Sequence, residues 1–296
     1  MNAREEGFLL LSSCLGNPER KPLTVTQLRT LAVRMAAAER PVEDRELCTA
    51  DFTAMGYGPE MAQRILSLLE DLPLLRRYHA KGWRSDCTPI TRVSDGYPVL
   101  MRRRLGLDSP GVLWAKGDLT ILQKPMIALV GSRNIAEKNA EFAAKVGYEA
   151  ARQGYVLVSG NARGADRIAQ KACLSAGGQV ISVVADELMM QENRENVLYL
   201  SEDGFDCPFT SIRALSRNRV IHALGEKTMV AQCALGKGGT WSGTLRNLKE
   251  NWSPVFYFQD GSEGAAHLQQ LGAVGITTDE LADFAELQDQ TLNFFD

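Results

Sequence analysis

Two short apolar runs, each ending abruptly in a glycine turn, constrain this chain more than any other feature. The first is Met126 to Val130, stopped by Gly131-Ser132-Arg133. The second is Tyr155 to Val158, stopped by Ser159-Gly160-Asn161-Ala162-Arg163-Gly164, and a polar, helix-compatible segment from Ala136 to Gly154 separates the two. Short buried strands joined by a helix of this length read as a parallel βαβ unit. Loops after successive strands of such a unit open on one edge of the sheet, where open α/β folds bind ligands. Both loops combine Gly with Arg, so the expected ligand is an anion.

The net charge of -3 gives no overall basic field for a polyanion. That figure hides a gradient: no Lys or Arg follows Lys249, while acids continue to Asp296, so an acidic tail masks a mildly basic body. Six cysteines are scattered without a C-x-x-C pair, as reduced and mostly buried thiols of a cytoplasmic protein would be. The apolar run Phe8 to Leu11 follows Glu5-Glu6, the wrong charge for a signal peptide, and no stretch reaches the roughly 18–20 apolar residues of a membrane span. A cytoplasmic protein without a membrane partner is expected.

Residues 1–83 read as a small all-α domain. Thr24-x-x-Gln27 has the form of a capping box before Leu28, Leu31 and Met35. Further helices are expected from Glu46 to Met55, through Met61, Ile65, Leu68 and Leu69, and from Pro73 to Lys81. The segment Met55 to Ile65, with Gly56-Tyr57-Gly58-Pro59, resembles the hairpin of a helix-hairpin-helix element, whose backbone amides can face a phosphate. A glycine-rich turn between two helices, with Pro at N1, explains the same residues. Arg84 to Lys124 is a connector: Asp95-Gly96-Tyr97-Pro98 forms a turn, Arg102-Arg103-Arg104 a basic triplet, and Ser109 to Gly117 a turn and a strand.

Beyond the βαβ unit, Ser216-Arg217-Asn218-Arg219 falls in an expected helix from Ser211 to Leu224. Arg217 and Arg219 then point about 200° apart; one would reach a phosphate and the other an internal partner, and Arg217 is assigned to the phosphate. A second glycine-rich junction, Leu235 to Thr244, lies between a strand at Thr228–Gln232 and a helix at Leu245–Glu250. It offers Lys237, Thr240 and Thr244 to phosphates, and a Trp241 that either stacks on a base or packs. Another strand–helix–strand follows at Pro254–Phe258, Glu263–Leu271 and Ala273–Ile276, and then Thr278 caps Asp279–Glu286.

Six motifs in this order resemble the DprA/Smf family. They are Asp95-x-Tyr97-Pro98, Pro110 to Asp118, Val130-Gly131-Ser132-Arg133, Ser159-Gly160-x-Ala162-Arg163-Gly164-x-Asp166, Ser216 to Arg219, and Gly261-Ser262-x-Gly264 with Leu271-Gly272-Ala273. The likeness runs from about Trp83 to Leu281. It implies an α/β chain: an extended Rossmann-like fold with a parallel-rich sheet over residues 84–296, after the helical residues 1–83. It also implies cytoplasmic single-stranded DNA binding in DNA processing and recombination, with RecA as a partner in natural transformation, and a homodimer. Asn161, Ala165, Gln232-Cys233 and Phe258-Gln259-Asp260 depart from the family pattern and mark a divergent branch. A member without the C-terminal winged helix is expected.

The residues expected to hold DNA phosphates are Gly131, Ser132, Arg133, Gly160, Arg163, Gly164, Arg217, Asn218, Arg219, Lys237, Gly239, Thr240, Gly243 and Thr244. Ser132 would also cap the following helix, and Asp166 would cap its own helix or hold Arg163. A second reading comes from Gly239 to Thr244, which resembles the Pro-Gly-Gly-x-Gly-Thr loop of LOG-type nucleotide phosphoribohydrolases. A protein of that kind would sense or hydrolyse a nucleotide-derived ligand, for instance in phage defence. Those enzymes need a carboxylate just after the loop; here Arg246-Asn247 stands there and Glu250 is the first acid. His79, His222 and His267 have no metal spacing, and Ser132 has no activating partner. No catalytic residue, metal or cofactor is expected.

Overall fold

The computed structural model describes residues 1–38 and 46–289. Five helices lead: α1 (Ala3–Ser12), α2 (Val25–Ala37), α3 (Thr49–Ala54), α4 (Pro59–Glu70) and α5 (Leu72–Trp83). Next come β1 (Cys87–Thr91), α6 (Val99–Leu105), β2 (Val112–Lys116), β3 (Met126–Val130), α7 (Glu137–Arg152), β4 (Val156–Ser159) and α8 (Ala165–Ser175). They are followed by β5 (Gln179–Val183), β6 (Val197–Ser201), α9 (Ser211–Ser216), α10 (Asn218–Leu224), β7 (Lys227–Val230) and α11 (Gly238–Glu250). The last are β8 (Val255–Phe258), α12 (Glu263–Gln270) and β9 (Val274–Ile276).

All nine strands form one sheet in the order β1-β2-β6-β5-β4-β3-β7-β8-β9. From β6 across to β9 every pairing is parallel, while β2 is antiparallel to both β6 and β1. Pro89 sits in β1, at the sheet edge, where a missing N–H costs no ladder bond. The two faces of β3 show why its run is apolar throughout. Ile127 and Leu129 enter the core under α7 and α8, whereas Met126, Ala128 and Val130 enter the core under α6, α10 and α11. A parallel strand covered by helices on both faces has no polar side to show.

The N-terminal helices divide their packing. Leu9, Leu10, Leu75 and Tyr78 of α1 and α5 belong to the core on the sheet. Leu31, Phe52, Ala62, Ile65 and Leu68 of α2, α3 and α4 form a small core of their own. The capping box forms: Gln27 N–H donates to Thr24 Oγ1 at 3.3 Å and Thr24 N–H to Gln27 Oε1 at 2.9 Å.

The helix expected over Asp279–Glu286 is a short 3-10 turn, Asp279–Ala282, that the Thr278 side chain does not cap; two further differences bear on the site. The helix expected over 211–224 is interrupted at Arg217, which ends α9 and begins α10. The helix expected to begin at Leu245 begins at Gly238. Residues taken for a phosphate loop are therefore the first two turns of α11, with Gly239 and Gly243 against α10. A Cβ on Gly243 would lie 3.2 Å from Asn218 and 3.3 Å from His222, so the glycines serve close helix approach. Among the described residues no helix is long and apolar enough to cross a membrane.

Candidate functional site

From β3 the chain adds strands toward β6, then returns to place β7 on the other side of β3 and continues to β9. At such a reversal the loops after the two neighbouring strands diverge and leave a crevice. A cavity of about 530 Å³ occupies it, walled by Gly131 to Asn134 after β3, by Cys233 to Thr240 after β7, and by Phe209 to Asn218. A second cavity of about 210 Å³ covers the loop after β4 and shares Arg133, Ala162, Phe209, Ala214 and Arg217 with the first. The two make one groove along the carboxyl ends of β4, β3 and β7.

Glycines weld the first two loops together. A Cβ on Gly164 would fall 2.3 Å from the Ser132 carbonyl oxygen and 2.6 Å from that of Arg133, at a φ of +80°. Ala165 N–H donates to Ser132 O at 3.2 Å across this contact. Ser132 does not cap the next helix as expected. Its hydroxyl donates to Asn134 O at 2.8 Å and accepts from Asn134 N–H at 3.2 Å, leaving Ala136 at the N-cap of α7. Ala136 N–H donates instead to the Gln232 side chain at 2.8 Å, which gives one of the unusual residues a structural task.

Arg217 is corrected from a free arm to a wall. It is 6% exposed, and its Nη2 donates to Gly160 O at 2.8 Å. The guanidinium lies where a side chain at residue 160 would be, 1.5 Å from an added Cβ, so Gly160 is required by Arg217. Asp166 faces the same charge and accepts from Gly160 and Ala162 N–H at 3.1 and 3.2 Å. It therefore holds the loop and balances Arg217; it neither caps α8 nor pairs with Arg163. Burial raises the Asp166 pKa while Arg217 and the two amides oppose the rise. Burial likewise lowers that of Arg217, against the pull of Asp166. Arg217 Nε is buried without a partner at the wall of both cavities.

Four more residues considered for contacts lie elsewhere. Arg219 forms an ion pair with Glu202 at 2.7 Å, set by the half-turn that separates it from Arg217. Thr244 is fully buried and Gly243 packs on α10, so neither reaches the groove. Trp241 is buried against His267, their rings 5.5 Å apart, and is a packing residue. Asn218 and Thr240 do line the groove, as braces: Asn218 Nδ2 donates to Gly239 O at 3.0 Å, and Thr240 Oγ1 to Gly131 O at 2.9 Å.

What remains available is cationic. Arg133, Arg163 and Lys237 are exposed around the groove, and among the described residues their side chains make no hydrogen bond or ion pair. The N-termini of α8 and α11 open there with Gly164 and Lys237 as N-caps and no side-chain cap. Helix N-termini add partial positive charge. Asp166 is the one carboxylate lining the larger cavity, and it is committed to the loop. No cluster among the described residues could hold a metal ion.

Exposed apolar side chains, of which Phe209 and Leu215 line the groove, were missed in the sequence. Phe209, Ile212, Leu215 and Leu235 are 54%, 79%, 51% and 41% exposed. The signal was there in Ile212 and Leu215, large apolar residues in a six-residue helix that buries nothing.

Comparison with known proteins places these features in context. The family described as DNA recombination-mediator protein A matches residues 88–286. DNA processing protein DprA of Streptococcus pneumoniae is 32% identical over 194 residues, covering 60% of this chain and 68% of that protein. Its Bacillus subtilis counterpart is 30% identical over 202 residues, covering 63% and 67%. An X-ray structure of the Streptococcus pneumoniae protein superposes with a TM-score of 0.73 and 26% identity over 97% of this chain and 99% of that one. A structure concerned with the single-stranded DNA binding mode of DNA processing protein A from Helicobacter pylori has a TM-score of 0.56 and 25% identity, over 66% and 94%.

Proposed function

Because the chain belongs to the DNA recombination-mediator protein A family, we propose that it binds single-stranded DNA along this groove and acts in DNA processing during recombination. The observation that carries the reading is a set of exposed cations, Arg133, Arg163 and Lys237, whose side chains make no hydrogen bond or ion pair among the described residues. A string of phosphates would satisfy all three. Contacts of this type position a strand without reading its sequence. Phe209 and Leu215 line the same groove, and such exposed apolar side chains suit unpaired bases, which stack without regard to identity. A duplex keeps its bases paired inside and gains nothing from those side chains.

Grip, without chemistry, is the role assigned. General acid–base catalysis needs a placed carboxylate. Asp166 is tied to two amides, and Glu250 stands at the far end of α11. The LOG-like reading therefore has less support. A homodimer, the cytoplasm as its place of action, and RecA as recipient of the bound strand complete the proposal, on the strength of the family resemblance.

Fluorescence anisotropy with a labelled oligonucleotide tests it. A variant lacking three cations, R133A/R163A/K237A, should bind a single strand at least about tenfold more weakly at moderate salt. Unchanged affinity would remove the groove from consideration.

A further inference from the structure

We propose a second single-strand contact on α5, built from Arg76, Arg77, Arg84 and Trp83, resting on the DNA-binding reading above. At 100° per residue, the exposed positions of α5 and the residue that follows it fall within an arc of about 160°. That arc carries Arg76, Arg77, Lys81 and Arg84, together with Trp83, and no carboxylate. Its opposite side buries Leu75, Tyr78 and Gly82.

Ordinary solvated helix faces mix signs and lack large aromatics. Here Arg76, Arg77 and Arg84 make no side-chain hydrogen bond or ion pair among the described residues. Trp83 is 74% exposed, while Trp114, Trp241 and Trp252 are buried. An unpaired basic stripe with an exposed indole at its end is what a sugar–phosphate backbone and an unstacked base require.

The helix that carries this face is tied through Tyr78 and Lys81 to the segment that leads into the groove wall. Tyr78 Oη donates to Asp206 Oδ1 at 2.8 Å and Lys81 Nζ to Asp206 Oδ2 at 2.6 Å. Asp206 stands three residues before Phe209, so α5 is clamped to the segment that forms the groove wall. Beside Trp83 a shallow depression is lined by Asp86, Thr88, Asn193, Arg194 and Glu195. Two acids and one base make it a seat for an uncharged base, with the phosphates on the arginine side.

Trp83 supplies its own reporter, since it dominates any quenching of intrinsic fluorescence by a bound strand. Oligothymidylate of about 30 nucleotides should quench the wild-type protein, and W83F should abolish that quenching. R76A/R77A/R84A should bind roughly tenfold more weakly, with its log–log salt slope shallower by about 2. All four residues are exposed, so thermal melting should be unchanged. R133A/R163A/K237A should weaken binding yet keep the quenching when saturated. If wild type binds the oligonucleotide without quenching, and the arginine variant retains its affinity and slope, the second contact is wrong while the groove stands. Quenching by poly-glutamate alone would assign α5 to an acidic protein and overturn the proposal. Absence of any binding by wild type would overturn both.

Discussion

Replacing Arg133 with Ala removes an exposed cation whose side chain makes no hydrogen bond or ion pair among the described residues, so stability should be little changed while single-strand affinity falls and the salt slope becomes shallower by about 0.7. Arg217→Ala should behave in the opposite order. It leaves Gly160 O without its donor and Asp166 without its balancing charge, a loss of about 3 kcal/mol in urea denaturation. If R217A melts like wild type, the buried wall described for it is wrong. His222 gives a prediction in pH. Burial, aided by the charge of Arg217, pushes its imidazole down to about 3 from the ordinary 6.5. The unfolded chain therefore binds a proton that the folded chain refuses between those values. Stability should be complete above about pH 6.5 and decline by up to about 1.4 kcal/mol per pH unit on acidification toward pH 3. His222→Leu should flatten that part of the curve; an unchanged slope would place its origin elsewhere.

Among the elements, the β3–α7–β4–α8 unit was legible because its signals are local: apolar runs, a helix-length spacer and glycines at strand ends. The break between α9 and α10 was not. It turns on Arg217 reaching Gly160, 57 residues away in sequence, and a helical wheel drawn over 211–224 carries no trace of that contact. The early start of α11 was hidden for a related reason, since Gly239 and Gly243 look like loop residues until α10 is known to lie against them. β1, β5 and β6 went unmarked in the sequence. The weld between the loops can be tested directly. Gly164→Ala puts a Cβ into the Ser132 carbonyl at a φ of +80°. The expected cost is about 2–4 kcal/mol, read as a lower denaturation midpoint and weaker strand binding. A fully stable G164A would show that the two loops are not held as described.

For the whole molecule, net charge is a poor guide to the partner. Residues 1–249 carry an excess of six positive charges, and nine acids with no base follow Lys249. Exposed cations stand both at the groove of the β3/β7 reversal and on the exposed side of α5. That distribution suits an extended polyanion better than a single nucleotide. The measurement that tests this most directly is a titration of labelled single-stranded and duplex oligonucleotides of equal length across a salt series. The single strand should bind more tightly, with log affinity falling linearly against log salt at a slope of about -2 to -3 from the groove contacts, and steeper if α5 joins them. Equal affinity for duplex, or a single-strand affinity indifferent to salt, would contradict a grip made of phosphates and unpaired bases.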